Sequence, residues 1–218
     1  MVTSPWQVTS CIRARVGPTR RSSSSTVQII PSVASTDPDV AFLMLVGTAA
    51  VSPAQQEIER VETVMKTNGA PQSDIESAGR YLRIYFDVVA GRQSWEQFEP
   101  IRSHAAGKSW LRYVPQPRSA REVGWTPSPA TLDPAPMLSR IKAPVLTMHG
   151  ASDVDVGATA NSSLYAKLSV HPDSRQRVFD RADHFILVGV ENPDRQYRRL
   201  APGYLQTMID WVRRITDH

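Results

Sequence analysis

Two residues in this chain stand where proton-transfer chemistry would need them, Asp153 and His184. Each comes just after a short segment that reads as a strand. VLTMHG (145–150) is followed by Ala151, Ser152 and Asp153, and RQRVFD (175–180) by Arg181, Ala182, Asp183 and His184. A carboxylate and an imidazole in that chain order suit the acid and the base of a Ser-His-Asp triad. The imidazole takes a proton from the nucleophile and later returns it to the leaving group. The acid fixes the tautomer and stabilises the imidazolium. Taken singly, each residue has a plainer explanation: a turn or helix-capping aspartate, and a surface-loop histidine. Taken together, in order and each just past a strand, they favour the triad. Asp155 is the runner-up for the acid. His149 closes a strand in a His-Gly turn and is read as structural, and His104 as an exposed helix residue near Arg102. No His-x-x-x-His spacing or carboxylate cluster suggests a metal, and the expected chemistry requires no cofactor.

The elements around these residues must bring them to one edge. DPDVAFLMLVG (37–47) holds an apolar run bounded by Pro38 and Gly47, which predicts a strand buried on both faces of a parallel sheet. Ser52-Pro53 is an N-cap and first-turn pair, and Ile58, Val61 and Met65 follow at helical spacing until Asn68-Gly69. Ser73 with Glu76 predicts a capping box for a second helix ending at Gly91. Ser94 is a candidate cap for a third helix carrying Trp95, Phe98 and Ile101. The prolines at 115, 117, 127, 129, 134 and 136 predict an extended connector. Beyond it come a short amphipathic piece (MLSRI, 137–141), the strand VLTMHG, a helix over 159–168, the strand RQRVFD, and a last helix over 203–215. That last helix is expected to bury Leu205, Met208, Ile209 and Val212. Strand and helix in alternation imply a parallel α/β sheet, whose ligands sit at the carboxyl ends of the strands.

The segments IKAPVLTMHGASDVDV, FDRADHF and YLQTMIDW together resemble the C-terminal part of the α/β-hydrolases. The first matches the family segment that delivers the triad acid and the second the loop that delivers its histidine, in the family's order of nucleophile, acid, histidine. DPDVAFLMLVGTAAV, followed by a helical stretch, is similar to the strand after the nucleophile helix and then a cap domain. The resemblance covers about residues 31–218 and points to the branch holding serine esterases and prolyl-peptidase-like aminopeptidases. It implies hydrolysis of an ester, amide or thioester through an acyl-serine, with a small-molecule ester or a peptide as substrate. It also implies a partial α/β-hydrolase fold with a helical cap over about 50–130. The aromatics of that stretch, Trp95, Phe98, Trp110, Tyr113 and Trp125, either line an acyl pocket or pack the cap's own core, and the second is favoured.

One part of the pattern is missing. No Gly-x-Ser-x-Gly occurs anywhere in the chain, and the only glycine before Asp37 is Gly17. Family spacing puts the nucleophile near Ser24. That residue is flanked by Ser22 and Thr26, and a solvated serine run is the competing explanation. Residues 1–30 are expected to be disordered or unrelated to the family, as a truncated or frame-altered gene would produce, with loop character continuing to 31. The alternative to an active hydrolase is accordingly a catalytically dead fragment that binds a ligand or a partner.

Composition limits the remaining possibilities. Of 218 residues, 25 are basic and 21 acidic, for a net charge of +4. Arg13, Arg15, Arg20 and Arg21 lie in an acid-free start, and residues 37–218 are neutral. The basic character therefore belongs to one tail and makes no nucleic-acid-binding face. The single cysteine, Cys11, excludes an internal disulfide. No apolar run reaches the roughly 20 residues a membrane span needs, and no signal peptide is evident. The expectation is a cytoplasmic protein without nucleic-acid or membrane partners.

Overall fold

The computed structural model describes residues 11–14, 34–124, 132–189 and 198–217. The chain divides into two compact units, Met1–Ala50 with Pro134–His218, and Val51–Asp133.

The first unit is built on a four-stranded sheet, β1 (Cys11–Ala14), β2 (Phe42–Val46), β3 (Val145–Gly150) and β4 (Arg175–Phe179), paired in that order. β2, β3 and β4 run parallel, with Leu43 opposite Val145 and Gly150 opposite Phe179. β2 is buried on both sides, as its unbroken apolar run requires. Met44 and Val46 pack with Leu146, Met148, Phe179 and Trp211, while Leu43 and Leu45 pack with Val145, Ile141, Leu138 and Tyr165. One layer is covered by helix α7 (Tyr204–Thr216). The other is covered by α6 (Ala158–Leu168) and the short α5 (Ala135–Leu138). A second, two-stranded antiparallel sheet joins β5 (Leu187–Gly189) to β6 (Arg198–Leu200).

Two expectations for this unit need correcting. The stretch 1–31, read as loop, contains the strand β1, which pairs antiparallel with β2 (Cys11 opposite Leu45, Ala14 opposite Phe42). Four residues are too few to show a period. The pairing is explained instead by the row of backbone donors and acceptors that β2 would otherwise leave open. In α7, Leu205 (54% exposed) and Ile209 (45%) face outward, whereas Trp211 is buried and Tyr204, Met208, Val212 and Ile215 are partly so. The inner stripe follows 204, 208, 211, 212 and 215, a helical spacing centred on the indole. The indole Nε1 donates to the Asp173 carbonyl at 2.8 Å, and its ring meets Phe42 edge-on at 5.7 Å.

The second unit is helical: α1 (Pro53–Thr67), α2 (Gln72–Val89), α3 (Trp95–Ala105), a 3₁₀ turn (Ser109–Tyr113) and α4 (Ala120–Gly124). Ser52 caps α1, its hydroxyl accepting from the Gln55 N–H at 3.2 Å, and the helix stops at Asn68 before Gly69 (φ 70°). The capping box predicted at Ser73 does not form. α2 starts one residue earlier, after an extended Pro71, which leaves Ser73 inside the first turn. At α3 the Ser94 N–H donates to Gln97 Oε1 at 2.8 Å, the reciprocal half of a capping box. The aromatics pack this unit's own core: Tyr81 meets Phe98 (5.1 Å) and Trp110 (5.6 Å) edge to face, with Val61, Met65 and Leu82 around them. Trp125 lies outside the described residues. The proline-rich connector is not wholly extended, because α4 and α5 each form one short helix within it. Its prolines at 134 and 136 stand before and in the first turn of α5, where no helical N–H is lost. Among the described residues no helix is long and apolar enough to cross a membrane.

Candidate active site

β3 and β4 lie side by side and end together, so the segments that follow them meet. The turn after β3 is stitched to the one after β4, with Ala151 N donating to Phe179 O (2.9 Å) and Ser152 N to Ala182 O (2.9 Å). Asp153 sits at the end of this turn with its carboxylate fully buried. Its Oδ1 accepts the backbone N–H groups of Asp155 (2.8 Å) and Val156 (2.9 Å). Its Oδ2 lies 2.9 Å from Nδ1 of His184, whose side chain is 10% exposed. Each carboxylate oxygen thus has its own partners, and the ring is held by the nitrogen that faces the acid.

The surroundings of His184 act on its pKa in opposite directions. Burial is the largest influence and pulls its pKa down. The hydrogen bond and negative charge of Asp153, helped by Asp155 and Asp183, outweigh burial and leave the pKa above its ordinary value. His149 shows the opposite outcome. It is fully buried, with Nε2 3.0 Å from the Thr48 carbonyl, and burial holds its pKa low. A carbonyl can only accept, so the neutral ring carries its proton on Nε2 and anchors the end of β2, in line with a structural role. His104 is exposed on α3 in the other unit.

Two glycines make the meeting possible. Gly47 has φ 58°, and a Cβ there would stand 2.9 Å from the His184 carbonyl oxygen and 3.1 Å from its Nδ1. A Cβ at Gly150 would collide with the backbone carbonyl oxygens of Ala182 and Asp183. The histidine loop carries strain of its own. Arg181 (φ 56°) and Ile186 (φ 58°) adopt the left-handed region without being glycine, at a cost on the order of 1–3 kcal/mol each. Sequence reasoning gave Gly150 only a place in the His-Gly turn that closes a strand, and Gly47 only the role of a strand end. It missed Asn161 and Tyr165 of α6 altogether. Asn161 Oδ1 accepts from Ala50 N at 2.7 Å and the Tyr165 hydroxyl donates to Ala49 O at 3.3 Å, fixing the chain beyond Gly47. The two sit four residues apart on one helical face, a spacing visible in the sequence, but nothing local names their partners.

Asp153, Asp155 and His184 have potential donor atoms within 4.8 Å of one another. Both oxygens of Asp153 and Nδ1 of His184 are already engaged with each other or with backbone N–H groups, an arrangement suited to handling a proton. The runner-up acid, Asp155, is part of this cluster, but the oxygen that meets the imidazole belongs to Asp153. Ser24 lies outside the described residues.

No protein-family model and no curated protein matches the chain. Solved structures do. A meta-cleavage product hydrolase from Pseudomonas fluorescens IP01 is 15% identical, with 87% of this chain covering 60% of that one at a TM-score of 0.36. VinJ is 16% identical, with 87% of this chain covering 63% of it at a TM-score of 0.43. A proline iminopeptidase from Mycobacterium smegmatis is 15% identical, with 73% covering 56% at a TM-score of 0.38. This chain therefore spans less than two thirds of the length of those structures. Its own architecture is a sheet of three parallel strands, extended by the antiparallel β1, with helices on its faces.

Proposed function

We propose that Asp153 and His184 are the acid and base of a serine-hydrolase site for a carboxylic ester, amide or thioester. We propose further that this chain, which has no Gly-x-Ser-x-Gly, holds the pair without supporting turnover by itself. The observation that carries the reading is the 2.9 Å contact of Asp153 Oδ2 with His184 Nδ1 at the carboxyl ends of adjacent parallel strands. With Nδ1–H donated to the acid, Nε2 is the nitrogen that takes the serine proton as the Oγ–acyl bond forms. It then returns that proton to the departing alcohol, amine or thiol. The same nitrogen deprotonates the water that cleaves the acyl-serine, and the buried carboxylate stabilises the imidazolium at both stages. The substrate is a small ester or a peptide, and no cofactor takes part.

The nucleophile limits the rate. The elbow also supplies oxyanion donors, each worth roughly 10²-fold or more, so a pair without it has little to work with. Hydrolysis of p-nitrophenyl acetate by the purified chain is therefore expected to equal that of its His184→Ala variant. A burst of nitrophenol that Ser24→Ala removes would overturn the claim of no turnover. The pair itself is tested separately, by the imidazole ¹⁵N resonances of His184. An Asp153→Asn variant that leaves those resonances and their titration unchanged would sink the assignment.

A further inference from the structure

We propose that Asp183, clasped by Arg198, is a positioning residue for His184: it locks the loop that presents the imidazole to Asp153. The inference rests on the acid–base reading of that pair.

Asp183 is adjacent to His184 in sequence but turns its carboxylate to the backbone. Oδ1 accepts the N–H groups of Phe185 (2.9 Å) and Leu187 (3.0 Å), and Oδ2 accepts from Arg198 Nη1 at 2.7 Å. The main chain of the same residue closes the loop on itself, with Asp183 N donating to Leu187 O (2.9 Å) and Ile186 N to Asp183 O (3.0 Å). Every residue from 183 to 187 except His184 is thus tied by a bond to Asp183 or made by it. The histidine is the residue left to point elsewhere, towards Asp153. Two carboxylates divide the task, Asp153 holding the ring and Asp183 holding the backbone that carries the ring.

The loop needs such a tie because it is not relaxed. Arg181 and Ile186 bracket it in left-handed conformations, and Ile186 is a fully buried β-branched residue, the type least suited to that region. On the opposite side Gly47 and Gly150 are in close contact with the His184 and Ala182–Asp183 backbone, leaving no room to slide. Arg198 comes from β6, whose pairing with β5 (Gly189 opposite Arg198) puts the guanidinium beside the loop, and Ala201 N adds a bond to Ile186 O at 2.9 Å. Arg198 is 67% exposed, and an exposed ion pair contributes little by itself. Its part is to orient a carboxylate whose other oxygen does the holding.

The test uses the full ¹⁵N-labelled chain and two readouts: amide hydrogen exchange at Phe185 and Leu187, and the low-field Nδ1 proton of His184 that reports its bond to Asp153. Asp183→Ala is expected to speed exchange at both amides at least tenfold and to weaken or remove the low-field proton. Asp183→Asn, which keeps an acceptor for the two amides, is expected to restore most of the exchange protection and the low-field proton. Should Asp183→Ala fail to fold, Arg198→Gln keeps the question open to measurement, with a smaller loss of the same proton expected. Faster exchange with the imidazole signal intact would make Asp183 a loop cap only and overturn the proposal, as would unchanged exchange. A missing low-field proton in the wild-type chain, or one that Asp153→Asn does not remove, would instead count against the acid–base reading and leave the exchange result to judge the loop.

Discussion

The turn that carries Asp153 and the loop that carries His184 are neighbours with opposite constructions. In the turn the aspartate itself folds back and satisfies the amides of Asp155 and Val156, two and three residues on. The loop is strained at both ends, depends on Asp183, and takes part of its support from Arg198 on a distant strand. The acid is thus fixed by local chemistry, whereas the base is fixed by the surrounding fold. In a pair of this kind the histidine side is the one that mutations far along the chain can disturb.

Gly150 should break this arrangement most severely, because it lies where the turn and the loop touch. Gly150→Ala forces a methyl into the Ala182 and Asp183 carbonyls, and we expect about 3 kcal/mol of destabilisation in chemical denaturation. A loss under 1 kcal/mol would mean that the loop can move aside. Next in size is the effect of the acid on pH dependence. His184 has a raised pKa in the folded state, so its contribution to stability is complete below the ordinary value of 6.5 and disappears as pH rises through the folded value. Stability of the wild-type chain should decline across that window. Asp153→Asn, which removes the main group raising the pKa, should flatten or reverse the decline; equal slopes in the two proteins would count against it. The smallest effect belongs to Asp155→Asn, which should lower the His184 pKa in the same direction as Asp153→Asn but by less. A larger shift from Asp155 than from Asp153 in an NMR titration would exchange their roles.

Much of this was legible in the residues. The strands at 42–46 and 145–150 announce themselves by apolar runs with punctuation, and the first three helices of the second unit by apolar periodicity, because those signals are local. The order of Asp153 and His184 could be read for the same reason. What could not be read depends on partners far away in sequence. β1 exists through pairing with β2, and β5 through pairing with β6. The face of α7 was misjudged because apolar spacing alone does not say that Trp211, bonded to Asp173, sets the rotation of the helix. Nothing in the sequence singles out Asp183, since neither its backbone acceptor role nor Arg198 is visible in the residues nearby.

The helical unit interrupts the sheet between two strands that lie against each other, Leu43 pairing with Val145. About a hundred residues must therefore be looped out before those strands can join, an entropic cost of roughly 4 kcal/mol for a flexible chain. The helices have mostly short-range contacts and can form early, whereas the sheet must wait for its distant partners. Early helix formation shortens the free chain and lowers the cost of closing that loop. The helical insertion is then expected to ease the joining of the very strands it separates, quite apart from anything it does once the molecule is folded.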